Sequence, residues 1–249
     1  MTRFSTAVAG WSQVFCLAAT IGTLPVTAKS VLAEPGENRW EPVIKGFEQD
    51  DRETDYPDNA LLFVGSSSIR LWDTLAVDMR PHAVIQRGFG GATTADVVRY
   101  ADRILAAHRP PAIVLFVAND IRGNAAADLK PTEAAALFKT FLGQVHRHSP
   151  KAMLLVVAVT PTESRWAVWP EIRRLNELLA GLCDETAHAI FIPTEDLYLG
   201  PDGRPLSQLF RSDRLHLSPA GYARWTKRIR SYLDPLVAGP GGAEPVAKN

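Results

Sequence analysis

Five short apolar segments, at 60–64, 83–86, 112–118, 153–159 and 189–192, constrain the fold of this chain more than any other feature. They do not alternate apolar with polar residues. A strand with one wet face alternates, whereas a strand covered on both faces reads as a continuous apolar run. The intervals between them carry helical patterns, at about 94–108, 131–148 and 170–186. A last helix is expected after Ser218-Pro219, where serine can cap and proline suits the first turn. Strand–helix alternation at this spacing predicts one three-layer α/β/α domain built on a parallel sheet. No internal repeat or second domain is visible in the 249 residues.

The two ends read differently. Arg3, the mostly apolar stretch from about Ala7 to Leu24, and small residues that offer cleavage after Ala28 or after Ala33 have the form of a secretory signal. Ser12, Gln13, Gly22 and Pro25 interrupt that stretch and make it a poor bilayer span. Export to the periplasm or medium is therefore expected, with a signal peptide over 1–33. Residues 34–59 are charged and proline-punctuated, with Trp40, Val43, Ile44 and Phe47 as apolar anchors, and read as an arm or short helix packed on a domain at 60–238. Residues 239–249, rich in Gly, Pro and Ala, are expected to be a disordered tail. Cys16 would leave with the signal, so Cys183 stands alone in the mature domain as a small core residue. The formal net charge of zero gives no reason to expect a nucleic-acid or anionic-membrane partner.

In a parallel sheet the turns that leave the strand C-termini gather along one edge, where ligands bind. The first turn here is Gly65-Ser66-Ser67-Ser68, the second Gly88-Phe89-Gly90-Gly91-Ala92-Thr93-Thr94, and the third contains Asn119-Asp120. The loop before the last helix carries Asp213-Arg214-Leu215-His216. Each has a plain structural account: a serine cap, a glycine turn capped by Thr93 or Thr94, an Asx-type turn, and a histidine bonded to a local carboxylate. Together they supply the parts of acyl transfer. A serine nucleophile needs a base, the base needs a carboxylate to fix its tautomer, and the oxyanion needs donors. Asp213 and His216, three residues apart, can meet within one turn of chain.

This ordered set resembles the SGNH (GDSL-type) hydrolase family, from about Leu61 to Tyr222. Gly65-Ser66-Ser67-Ser68 is similar to its first block, Gln86 to Gly91 to its second, Val117-Ala118-Asn119-Asp120 to its third, and Asp213 to His216 to its last. Trp72 falls where many members also have tryptophan. The resemblance implies Ser67 as nucleophile, His216 as base, Asp213 as its partner, and Gly91, Asn119 and the Ser67 N–H as oxyanion donors. It also implies a flavodoxin-like five-stranded sheet ordered 2-1-3-4-5, with no metal or organic cofactor. Two positions depart from the pattern: Ser66 stands for the usual aspartate and Val117 for the glycine that opens the third block.

The loop at 160–170 carries Arg165, Trp166 and Trp169 on the same edge. These residues are expected to bind substrate, as an acyl pocket or a sugar platform; the alternative is that both tryptophans merely pack the following helix. His146 and His148 sit at a helix end before Ser149-Pro150, where the helix dipole accounts for them without a metal. The expected protein is an exported serine esterase acting on a small-molecule or glycan ester. A non-catalytic glycan- or acyl-binding module, a sugar O-acyltransferase or deacetylase, and a thioesterase remain alternatives on the same residues.

Overall fold

A computed structural model of the chain describes residues 39–237. The expected signal peptide at 1–33 and tail at 239–249 lie outside the described residues. Among the described residues, five strands form one parallel sheet: β1 (Leu61–Gly65), β2 (Val84–Gly88), β3 (Ala112–Phe116), β4 (Met153–Val157) and β5 (Ala189–Ile192). Their order is β2-β1-β3-β4-β5, as expected from the family resemblance. The helices are α1 (Glu41–Glu53), α2 (Ser67–Arg70), α3 (Leu75–Asp78), α4 (Thr94–Ala106), α5 (Pro131–His148), α6 (Trp169–Asp184), α7 (Glu195–Tyr198) and α8 (Pro219–Val237). No helix among the described residues is long and apolar enough to cross a membrane.

The missing alternation has a direct physical cause. Successive strand side chains point to opposite faces. Leu62, Val64, Ile113, Leu115, Leu154 and Val156 enter one core with Ile44, Val97, Ala101, Phe138, Phe141 and Ile172, contributed by α1, α4, α5 and α6. Leu61, Phe63, Val114, Phe116, Leu155 and Val157 enter a second core with Trp72, Tyr222, Trp225 and Ile229 on the other side. Both strand faces are dry, so both sets of positions are apolar. Trp72 is fully buried in the second core, stacks on Tyr222 at 5.3 Å between ring centroids, and donates from Nε1 to Asp78.

The arm is a helix, α1, that carries its own polar anchors. Arg103 on α4 bonds Glu41 and Glu48 at 2.6–2.9 Å. Arg87, buried on β2, pairs with Asp51 and lies over the rings of Phe47 and Tyr56. Trp40, just before α1, packs edge-on against Phe89 in the loop that follows β2. Cys183 is buried, as expected of a core residue.

Candidate active site

The switch point of the sheet lies between β1 and β3, and β1 ends there in Gly65. A Cβ on Gly65 would stand 2.0 Å from the Phe116 carbonyl oxygen, so only glycine lets the chain turn this close to β3. The Ser66 N–H donates to that same carbonyl at 3.0 Å. Helix α2 therefore begins at once, with Ser66 at its N-cap and Ser67 as its first residue. Gln86 on β2 fastens the far end of α2 by donating to the Ile69 carbonyl at 2.6 Å. Tyr222 on α8 donates to the Ser68 carbonyl at 2.8 Å. Ser66 and Ser68 are buried, whereas Ser67 is partly open to solvent.

Ser67 faces the loop before α8. His216 Nε2 lies 2.9 Å from Ser67 Oγ, and His216 Nδ1 lies 2.7 Å from Asp213 Oδ2. Pairing with the carboxylate puts the ring proton on Nδ1 and leaves Nε2 to accept from the serine hydroxyl. The two Asp213 oxygens divide the work. Oδ1 accepts from the N–H groups of Leu215 and His216, both at 2.9 Å, and so shapes the turn that holds the ring. Arg214 takes the left-handed conformation in this turn, at φ +57°. Burial pushes the Asp213 carboxyl up, but hydrogen bonds from the His216 ring and from the His216 and Leu215 N–H groups outweigh it. Its pKa comes down to about 2.

The loop after β3 brings Asn119 to the same crevice. The crevice is narrow, about 20 Å³, and is lined by Ser67, Phe116, Asn119, Thr160, Thr162, Arg165, His216 and Leu217 among others. Asn119 Nδ2 donates to the Ala92 carbonyl at 2.9 Å, and Asn119 Oδ1 accepts from Arg165 at 2.7 Å. An amide nitrogen has two hydrogens, so one N–H of Asn119 is left over. Gly91 precedes Ala92 in the loop that Asn119 grips, with φ +82°, a conformation that favours glycine. Thr93 then closes a capping box with Asp96 at the start of α4. The plain account of the threonine holds alongside any chemical one.

Asp120, next to Asn119, has a separate task. Its two oxygens accept from Thr94 N–H at 2.9 Å and Thr94 Oγ1 at 2.7 Å, which ties the start of α4 to the loop after β3. Burial pushes the pKa of this carboxyl up, against the two Thr94 bonds.

The loop at 160–170 does not present its three expected residues to one ligand. Trp169 is buried at the start of α6 and stacks on Trp166, with ring planes 10° apart and centroids 6.2 Å apart. Neither ring lines the crevice. Trp166 is half-buried and carries the Arg204 guanidinium over its face. The packing alternative thus accounts for Trp169, because α6 starts there and its first side chain falls into the core. Arg165 does reach the crevice, but its side chain is buried and bonded to Asn119 and the Ala118 carbonyl. At the far end of α5, His148 pairs with Asp102 at 3.0 Å.

Two partnerships were not visible in the sequence. The grip of Arg165 on Asn119 spans 46 residues, and that of Asp120 on Thr94 spans 26. Trp40 of the arm also packs on the loop that carries Gly91, with its ring 3.8 Å from where a Gly91 Cβ would stand. The available signal was Trp40 itself, one of four apolar anchors in a charged segment.

Residues 61–224 match the family described as GDSL-like Lipase/Acylhydrolase. Comparison with curated proteins gave no match. Among solved structures, a Streptococcus pneumonia protein named for platelet activating factor aligns with a TM-score of 0.69 at 21% identity, over 78% of this chain and 92% of that one. A GDSL-like lipase from Bacteroides thetaiotaomicron aligns with a TM-score of 0.63 at 14% identity, over 77% and 97%. A family 3 carbohydrate esterase from Clostridium thermocellum gives 0.55 at 18% identity, over 74% and 99%. At these identities the likeness to the three structures is one of fold.

Proposed function

The chain belongs to the GDSL-like lipase/acylhydrolase family and is a hydrolase of ester bonds, and from that premise we propose that it cleaves small carboxylic esters through an acyl group carried on Ser67. The observation that carries this reading is the continuous relay from Ser67 Oγ through His216 to Asp213, at 2.9 and 2.7 Å.

In this mechanism His216 Nε2 takes the Ser67 proton as Oγ attacks the ester carbonyl carbon. The carbonyl electron pair moves onto oxygen, and the Asp213 carboxylate stabilises the imidazolium that forms. The remaining Asn119 N–H, the Gly91 N–H and the Ser67 N–H at the start of α2 receive the oxyanion. Collapse of the tetrahedral species breaks the bond to the alcohol oxygen, which takes the proton from His216. Water then enters, gives a proton to His216 and attacks the acyl carbon. Breaking the acyl–Oγ bond returns the proton to Ser67 and releases the acid.

The size of the crevice supports a short acyl group. Phe116, Thr160, Thr162 and Leu217 are among its walls, and the space they leave beside Ser67 is about 20 Å³. The name of the Clostridium thermocellum neighbour points to sugar esters as one substrate class. The leader-like segment at 1–33 supports action outside the cytoplasm.

The test compares purified wild type with Ser67→Ala on p-nitrophenyl acetate, butyrate and octanoate, alongside labelling by a fluorophosphonate probe. Expected are labelling that requires Ser67 and His216, loss of turnover in Ser67→Ala, and rates that fall as the acyl chain lengthens. Equal turnover by wild type and Ser67→Ala would end the serine mechanism. Undiminished rates on octanoate would end the short-acyl assignment alone.

A further inference from the structure

Resting on the oxyanion role given above to Asn119, we propose that Arg165 is a positioning residue, whose guanidinium holds the Asn119 amide with one Nδ2 hydrogen aimed at the reacting carbonyl oxygen. The sequence suggested a different task, direct contact with substrate. The geometry argues for the indirect one.

An asparagine amide is nearly symmetric in shape, so its useful orientation must be imposed by partners. Here both partners agree. Oδ1 accepts from Arg165 at 2.7 Å and Nδ2 donates to the Ala92 carbonyl at 2.9 Å. Flipping the amide would set oxygen against the Ala92 oxygen and hydrogens against the guanidinium. Arg165 is itself fixed, because its other terminal nitrogen donates to the carbonyl of Ala118, the residue before Asn119. One planar fork therefore spans the main chain of residue 118 and the side chain of residue 119. A lysine ammonium, compact and on a flexible stem, cannot reproduce that two-point grip.

The charge of Arg165 also fits this task. Arg165 is 8% exposed, and Asp120 and Asp128 act on it through space, with no direct ion pair among the described residues. Burial and the neighbouring charge of Arg122 push its pKa down to about 10, so it remains a cation at neutral pH. A buried cation without a paired carboxylate is costly in the resting enzyme. The cost shrinks when an oxyanion forms at the other end of the Asn119 amide, because the guanidinium polarises that amide toward stronger donation. The stabilisation is then larger in the transition state than in the ground state, which is what raises kcat.

The test measures p-nitrophenyl acetate turnover for Arg165→Lys, Arg165→Gly, Asn119→Ala and the Arg165→Gly/Asn119→Ala pair, with melting temperature recorded for each. Loss of a positioned oxyanion donor should lower kcat by about 10- to 100-fold in Arg165→Gly, with KM changed less than about twofold. Arg165→Lys should recover only part of the loss. Methylguanidinium added to Arg165→Gly should restore turnover, and the same additive should do nothing for the pair. In the Asn119→Ala background, removing Arg165 should cost less than about twofold more, since the two act as one unit. A raised KM with kcat intact would make Arg165 a substrate anchor and overturn the proposal. Independent, multiplicative losses in the pair would overturn it as well. Full activity in Asn119→Ala would instead remove the oxyanion reading, and this proposal with it.

Discussion

Asp213→Asn separates the charge of the Asp213 carboxylate from its shape. The new amide oxygen can keep both backbone bonds, to Leu215 and His216 at 2.9 Å, so the turn should survive. The amide nitrogen then stands where Oδ2 was, 2.7 Å from His216 Nδ1. Two donors cannot face each other, so the ring proton moves to Nε2 and points at Ser67, and the base is lost. The size of the effect follows from two contributions. A carboxylate about 4 Å from an imidazolium centre gives about 4 kcal/mol at an effective dielectric near 20. The Asp213 side chain is 46% exposed, and screening at that exposure cuts the figure to about 2 kcal/mol. Returning the ring to its productive tautomer breaks a hydrogen bond, about 1 kcal/mol more. The sum, about 3 kcal/mol, is a fall in kcat of roughly 10²-fold. Steady-state hydrolysis of p-nitrophenyl acetate, with Ser67→Ala as the zero, measures it. A loss smaller than about threefold, under 1 kcal/mol, would refute the relay. Stability supplies an independent check. The folded carboxyl is depressed from 3.8 to about 2, so its hydrogen bonds stabilise the fold above the unfolded value. That contribution is lost as pH falls through the folded one. The gap in melting temperature between wild type and Asp213→Asn should therefore narrow from about pH 4 to about pH 2, and a widening gap would contradict the bonding of Asp213.

Further substitutions test the scaffold around the site. Gly65→Ala puts a Cβ 2.0 Å from the Phe116 oxygen and should cost more than about 2 kcal/mol in chemical denaturation, with loss of turnover; an unchanged midpoint would contradict the close approach of β1 to β3. Asp120→Ala leaves the Thr94 N–H unpaired inside the protein and should lose about 1–3 kcal/mol. Asp120→Asn keeps an acceptor and removes a charge that burial disfavours, so it should melt at or above wild type at neutral pH, and the reverse ranking would sink this account. Asp51→Ala leaves the buried Arg87 guanidinium only the more distant, exposed Asp50 carboxylate at 3.9 Å and should cost about 3 kcal/mol in urea unfolding. Arg87→Met added to Asp51→Ala should recover much of that loss, and no recovery would mean that the pair is not what fastens α1.

The strands and long helices were legible in the sequence because each is written locally. An apolar run without alternation is a statement about two covering layers, and the two cores on either side of Leu61 to Val64 are that statement in three dimensions. The strand order came from the family resemblance, since apolar runs say nothing about which strand pairs with which. The meeting of Asp213 with His216 was legible for the local reason: three residues and one turn suffice. Helix α1 was legible as an arm or short helix packed on the domain, but its fastening was not, since Arg87 and Arg103 lie 36 to 62 residues away along the chain.

What sequence reasoning could not rank was the loop at 160–170. An arginine and two tryptophans on a ligand-binding edge look like a substrate platform whichever way they point. Their roles are set by what each meets after folding: Trp169 by the core beneath α6, Trp166 by the Trp169 ring and Arg204, Arg165 by the backbone of Ala118 and the amide of Asn119. The same holds for the two departures from the family pattern. Ser66 needs no carboxylate to hold its turn, because its N–H is already taken by Phe116 and its carbonyl by Ile69 and Arg70. Val117 does not displace Asn119, because Ala92 on one side and Arg165 on the other fix the amide independently of the residue that opens the loop. A site whose reacting groups are each held from two directions tolerates changes in the motif around them, and the groups that do the holding are the ones a motif does not spell.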